Sequence, residues 1–236
     1  MKHKIDYAHS CPDTGLLREF CSYDIQCPEC CELVLHDGYY HISPLAMTSL
    51  HWSRQYEYPW AILNSNFKPA DVCLDAGGGY SVFKYSLAKR SSRVVTIDIN
   101  KESLEKSVLS AKNIGFNNIE FIHCGIEEHR PGYKYDKIYC LSVIEHIKDK
   151  KTRFDCLGNM MNILKPGGEL LLSFDVNVTP TGEPYDFYVD INNLSEMMHF
   201  LDISDFDFYS TIDTPMSSAG FPKGVSLITM CVKIQK

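Results

Sequence analysis

With 236 residues, 44% hydrophobic and 22% charged, the chain is long enough for one α/β domain with a substantial core, and its composition is that of an ordinary globular protein. A formal charge of −7 argues against non-specific binding to nucleic acid or to an anionic membrane, and no apolar run approaches the roughly 20 residues that cross a bilayer. The basic start, Met1-Lys2-His3-Lys4, is followed by no apolar stretch, so no secretory signal is expected and the protein reads as cytoplasmic.

Residues 1–45 have few helical periods and read as an irregular, cysteine-rich N-terminal segment or lid ahead of a domain over 46–236. Residues 46–66 hold an aromatic helix candidate with Trp52, Tyr56, Tyr58 and Trp60. From 70 onward, strand and helix signals alternate, which predicts a parallel sheet covered on both faces. Strands are expected at 71–75, 93–98, 119–123, 136–141 and 169–175, with helices at 80–90, 101–114 and 149–164 between them. Asn100 is the expected N-cap of the second of these helices and Gly115 its stop. The turn Pro166-Gly167-Gly168 is expected to end the third. A polar segment at 177–190, a helix at 192–200 and two closing strands near 205–211 and 225–233 complete a doubly wound, seven-stranded, mostly parallel sheet.

Ten cysteines fall into two groups. Cys73, Cys124, Cys140, Cys156 and Cys231 sit in predicted elements and read as reduced thiols, mostly buried. Cys11, Cys21, Cys27, Cys30 and Cys31 crowd the N-terminus. Cys27-Pro28-Glu29-Cys30 has the spacing of half a zinc knuckle, but Cys11 and Cys21 are irregularly spaced as a second pair, so plain thiols are favoured over structural zinc and no metal ligand is assigned.

The most informative stretch is Val72-Cys73-Leu74-Asp75-Ala76-Gly77-Gly78-Gly79, an apolar strand running into an acid and a glycine turn before a helix. Glycines there let a ligand approach bare backbone. A second β-branched run ends in Asp98, where a carboxylate can grip the two hydroxyls of a ribose. Asp75, Asp98, Cys124 and Ser142 all fall at or just beyond strand C-termini, the edge where doubly wound sheets bind ligands. A nicotinamide-binding pattern would need a third glycine at position 82, which is valine.

Leu74–Gly79, Thr96-Ile97-Asp98, Leu164–Leu170 and Ser142-Val143-Ile144-Glu145-His146, in this order, resemble the class I S-adenosylmethionine-dependent methyltransferases of the small-molecule type. The resemblance covers about residues 50–236 and implies a Rossmann-like methyltransferase fold with S-adenosylmethionine as cofactor and S-adenosylhomocysteine as product. It places Asp75, Ala76, Gly77 and Gly79 along the methionine part, with Asp75 near the amino group. It places Asp98 on the ribose, Ile99 and Gly125-Ile126 on either side of the adenine, and Leu141 and Ser142 near the sulfonium. Two positions depart from the family: Ser81 stands where a further glycine is common, and Cys124-Gly125 replaces an acid, which leaves adenine recognition to backbone and apolar contacts.

For the chemistry, His146 is the candidate general base, with Glu145 to orient it or to cap a helix. Arg54 is a candidate partner for the methionine carboxylate or for an acidic acceptor, while Trp52 and Trp60 are better explained as core. Glu57-Tyr58-Pro59-Trp60 resembles bacterial methyltransferases near surface-polysaccharide pathways. Tyr185, Asp186, Tyr188 and Asp190 are candidate acceptor contacts. The expected reaction is methyl transfer to a hydroxyl of a polar small molecule such as a sugar, a nucleotide-linked precursor or a quinone-type intermediate. An N-directed reaction and a non-catalytic cofactor-binding module are the alternatives.

Overall fold

The computed structural model describes residues 14–23, 34–36, 39–41, 54–177, 189–203, 207–210 and 227–236. Its centre is a sheet of β3 (Val72–Ala76), β4 (Arg93–Asp98), β5 (Ile119–His123), β6 (Tyr135–Leu141), β7 (Leu164–Asn177), β9 (Asp207–Ser210) and β10 (Leu227–Gln235), in the order β5-β4-β3-β6-β7-β10-β9. The first five strands run parallel, and β10 lies antiparallel between β7 and β9. The strand order reverses between β3 and β4 on one side and β6 on the other, which opens a crevice at their C-terminal ends. The expected doubly wound α/β sheet is therefore present. It gains an eighth strand, β8 (Val189–Asp190), which pairs with β7 past the end of β6.

Strands β3 and β4 are apolar almost throughout because both faces are covered. Alternate residues feed two cores. Leu74, Val95, Ile138, Leu170 and Phe174 meet α5 (Lys150–Ile163) and α6 (Ile191–Phe200) on one face. Cys73, Val94, Tyr139, Leu141 and Leu171 meet α2 (Arg54–Leu63), α3 (Phe83–Arg90) and α4 (Lys101–Ile114) on the other. The Asn100 side chain accepts from Ser103 N–H, and Gly115 closes α4 at φ 93°, as those residue types predict.

Two segments differ from expectation. Thr14–Ser22 forms a helix, α1, within the stretch read as irregular, and β1 (Val34–His36) pairs antiparallel with β2 (Tyr39–His41). Helix α1 earns its place by packing: Phe20 is fully buried against Tyr58 and Phe83, and Glu19 takes Arg90 at 2.7 Å. Burying one such aromatic ring contributes about 2–3 kcal/mol.

The second difference is Pro166-Gly167-Gly168. Helix α5 has already ended at Ile163, and the three residues bulge out within β7, whose pairing jumps from Tyr135↔Leu164 to Lys137↔Glu169. The chain's last residue closes that bulge, with Gly167 N–H donating to the Lys236 carbonyl and Lys236 N–H to the Gly168 carbonyl. Glu169 then binds Lys137, Lys233 and Asn66 at the end of the sheet opposite the crevice. The helix candidate of 46–66 is realised over 54–63; His51, Trp52 and Ser53 lie outside the described residues, as do Cys11, Cys27, Cys30, Cys31, Tyr185, Asp186 and Tyr188. Cys21 lies on α1, and Asp190 ends β8. Cys73, Cys140, Cys156 and Cys231 are buried and in no disulfide, and Cys124 is partly exposed.

Candidate functional site

The C-terminal ends of β3 and β4 bring Asp75, the glycine turn and Asp98 together. Gly77 N–H and Gly78 N–H both donate to the Ile97 carbonyl, so the turn is pinned to β4. Gly77 (φ 74°) and Gly79 (φ 38°) occupy left-handed backbone. A Cβ on Gly79 would stand 3.0 Å from Asp98 Oδ2, so the glycine keeps the space before that carboxylate clear. The other oxygen, Oδ1, accepts from Asn100 N–H at 2.7 Å, which fixes the carboxylate in place. Ile99 beside it is 76% exposed, an apolar side chain presented at the crevice.

Asp75 is buried, and its Oδ2 has no hydrogen-bond partner. Burial pushes its pKa up to about 6; Lys84 pulls against that and Asp98 adds to it. Lys84, which no sequence signal marked, is fully buried and donates its ammonium to the carbonyls of Gly78 and Gly79 at 3.2 Å and to that of Ser81. Burial brings its pKa down to about 8, against the pull of Asp75 and Asp98. Lys84 is the cation that holds the turn.

After β5, Cys124 N–H donates to the Asp98 carbonyl, and its thiol lies 3.7 Å from His129 Nδ1. Gly125 and buried Ile126 follow. The space a Gly125 side chain would fill is taken by the Glu127 carboxylate, 2.7 Å from the ideal Cβ position. An acid therefore stands at this corner, contributed two residues further along, and its Oε2 accepts from the Cys156 thiol at 3.4 Å.

The end of β6 holds the rest. Leu141 is buried, and Ser142 follows at φ 49°, a strained conformation for a residue with a Cβ. It is held by Ser142 N–H donating to the Ser173 carbonyl at 2.9 Å and by its hydroxyl donating to Glu57 Oε2 at 2.7 Å. Ser173 donates to the same oxygen at 2.5 Å. Glu57 is fully buried and pairs with Arg54 at 3.0 Å. Arg54, expected as a partner for the methionine carboxylate or for an acidic acceptor, places its guanidinium on Glu57 and near further buried acids. Burial opposes its charge, but Glu57, Tyr58, Glu145 and Asp175 outweigh that and hold its pKa above the usual range.

Glu145 was expected to orient His146 or cap a helix. It is buried, with Oε1 accepting from Asp175 N–H at 3.3 Å and Oε2 without a partner. Burial, then Asp175, pushes its pKa well above the carboxylate range. Asp175 is likewise raised, to about 7, by burial and by Glu57, while Thr229, which donates to it at 2.5 Å, and Arg54 restrain the rise. His146 sits on the short 3-10 helix Ile144–His146 at the solvent-facing rim. Burial of part of the ring and the charge of Arg54 lower its pKa, with Glu57 acting against them, so the imidazole is neutral at pH 7 and able to accept a proton.

A family model described as a methyltransferase domain matches residues 67–199. The chain belongs to the class I S-adenosylmethionine-dependent methyltransferases. It is 27% identical over 126 residues to a ubiquinone biosynthesis O-methyltransferase of Erwinia tasmaniensis, covering 52% of this chain and 50% of that protein. A protein of the same name from Citrobacter koseri is 28% identical over 102 residues, 42% of this chain and 40% of the other. The chain thus spans about half the length of the curated relatives it matches or less. Among solved structures, the YcgJ protein of Bacillus subtilis aligns at TM-score 0.57 and 14% identity over 77% of this chain and 98% of that one. The N-methyltransferase NodS of Bradyrhizobium japonicum aligns at 0.57 and 13% over 78% and 96%. Both show the shared fold.

The residues present fit the methyltransferase cofactor. The unpartnered Asp75 Oδ2 suits its ammonium, and the space before Asp98 suits its ribose diol. Affinity for S-adenosylhomocysteine should therefore rise between pH 5 and pH 7, because Asp75 must lose its proton to accept from the amine and its pKa is about 6. Calorimetric titration at stepped pH checks this; a flat profile would remove Asp75 from the ammonium.

Proposed function

We propose that the chain transfers the methyl group of S-adenosylmethionine to a hydroxyl of a polar small molecule, with His146 as the base. The observation that carries this reading is a single sheet edge leading from the Asp98 carboxylate, across the glycine turn, to a solvent-facing neutral imidazole. Asp75, Ala76, Gly77 and Gly79 bound the methionine part, Asp98 the ribose, and Ile99, Gly125 and Ile126 the adenine; Leu141 and Ser142 line the approach to the sulfonium. Likeness to ubiquinone biosynthesis O-methyltransferases supports oxygen over nitrogen as the nucleophile. An amine acceptor is the second reading, favoured by three buried acids, Glu57, Glu145 and Asp175, behind the rim. The setting is the cytoplasm, in keeping with the buried cysteines in no disulfide.

When bound, the cofactor supplies an electrophilic methyl carbon. The protein aligns nucleophile, carbon and sulfur, and positioning of this kind is worth as much as ~7–11 kcal/mol. Incubation with methyl-labelled cofactor and separate pools of polyols, phenols and amines tests the reading: label should appear in ethers. His146→Ala should lower turnover about 10²–10⁴-fold while leaving S-adenosylhomocysteine affinity unchanged. Undiminished turnover would take His146 out of the reaction.

A further inference from the structure

Glu145 and Asp175 have no use in transfer to a hydroxyl, yet both carboxyls are buried, and an oxygen of one has no partner. A buried polar atom left unpaired costs about 1–3 kcal/mol, so its retention calls for a reason. Among the described residues, the groups facing the pair are Arg54 and Glu57 from α2, the Cys140 thiol from β6 and the Thr229 hydroxyl from β10. Arg54 is engaged by Glu57, and these two balance in charge. One more positive charge would complete the set.

The place of that charge follows from contacts. A Cβ on Gly77 would strike both Val143 methyls at 2.6 Å, so the glycine turn abuts the segment that runs from Ser142 to Glu145. On the cofactor reading above, a nucleoside held at Asp98 with its tail along that turn would direct its sulfur toward the end of β6, near Ser142.

We propose that Glu145 and Asp175 form the counter-ion of the cofactor's sulfonium: the pair gives up a proton when the charged, methyl-bearing cofactor binds and takes one back once the neutral thioether remains. This rests on the cofactor reading above. The bookkeeping closes. Binding of the cation expels one proton from the pair to solvent. In transfer the acceptor oxygen forms its bond to the methyl carbon as the carbon–sulfur bond breaks, its electron pair stays on sulfur, and the hydroxyl proton goes to His146. His146 returns that proton to solvent, and the carboxylate, now without its cation, takes one back from solvent. The pair thereby distinguishes substrate cofactor from spent cofactor by charge and favours release of the latter.

The apo pair holds a proton near neutrality, since burial raises Asp175 to about 7 and Glu145 well above the usual carboxylate range. Calorimetry at pH 6.5 in two buffers of different ionisation enthalpy counts protons released, with S-adenosylmethionine and S-adenosylhomocysteine as the probes. At this pH α-amino groups, which titrate near 7.7–8.0 in general, stay about fully protonated on both ligands. Protons released by Asp75 are common to both and cancel. S-adenosylmethionine should release the greater part of one proton more than S-adenosylhomocysteine. In Asp175→Asn and in Glu145→Gln that difference should shrink or vanish while S-adenosylhomocysteine still binds, which also shows that the variants fold. Equal proton counts in the unaltered protein would overturn the inference and leave the cofactor reading standing. A difference that survives both substitutions together would overturn it too. Binding of neither ligand would overturn both.

Discussion

Gly77→Ala should lower affinity for S-adenosylhomocysteine about 30–4,000-fold, from two separable causes. The added Cβ would lie 2.6 Å from each methyl of Val143, which cannot both move aside because χ1 of a β-branched side chain is stiff. Overpacking of this kind costs roughly 1–3 kcal/mol. The backbone at φ 74° adds about 1–2 kcal/mol for any residue with a Cβ. The turn escapes the collision by rotating off the Ile97 carbonyl that anchors Gly77 N–H, and that displaces the amides from the cofactor. Combining the substitution with Val143→Ala removes the collision and leaves the dihedral cost. The double variant, compared with Val143→Ala alone, should therefore be only about tenfold weaker. If Gly77→Ala binds normally, the turn does not hold the cofactor. If the double variant is as weak as Gly77→Ala, the collision is not the cause.

This half of the site was legible in the sequence because its information is local. Asp75, Gly77, Gly79 and Asp98 lie within two strand-to-helix turns, and the caps Asn100 and Gly115 act on atoms a few residues away. The Leu164–Leu170 segment that carried part of the family likeness is legible for a different reason: Glu169 ties Lys137, Lys233 and Asn66 together at the opposite end of the sheet, so it reports the fold and not the site. The buried acids were not legible. Glu57 and the Ser173 hydroxyl that bonds it are 116 positions apart, and Asp175 finds Thr229 on the antiparallel strand 54 positions on. The only signal was an acid at the end of an apolar strand, and the same pattern at Asp75 and Asp98 had been read as surface chemistry at the crevice. Tertiary pairing also gave Arg54 an internal partner, since a carboxylate buried as deeply as Glu57 requires a cation close by. Glu127 was obscured by its position alone, two residues past the glycine whose side-chain space it fills.

Lys84 gave no signal either, because a lysine on the helix after a glycine turn is ordinarily solvated, and its removal should be the most damaging change in the molecule's crevice. Lys84→Met keeps most of the stem's volume and deletes the ammonium. It strips a donor from three carbonyls; those of Gly78 and Gly79 retain Ser81 N–H and the Ser107 hydroxyl, while the short bond to Ser81 is simply lost. It also removes the positive charge that offsets buried Asp75. Breaking one side of a buried charge set costs about 3–5 kcal/mol, and the retained donors argue for the lower end, near ~3 kcal/mol in urea unfolding. Asp75→Asn in the same chain should recover much of that stability and none of the S-adenosylhomocysteine affinity, since the amide neutralises the orphaned acid without serving the ligand's ammonium. The pH dependence gives an independent reading. The lysine titrates near 8 folded and at 10.5 unfolded, so between those values the unfolded chain holds more protons and this residue makes stability rise with pH. Burial raises the thiols of Cys73, Cys124, Cys140 and Cys156, which lowers stability over the same range, so the lysine is read by difference: from pH 7.5 to 9.5 the unfolding midpoint of the unaltered protein should move upward relative to that of Lys84→Met. An unchanged midpoint at pH 7.5 would mean that the ammonium does not hold the turn, and an equal change with pH in both proteins would mean that Lys84 is not buried there.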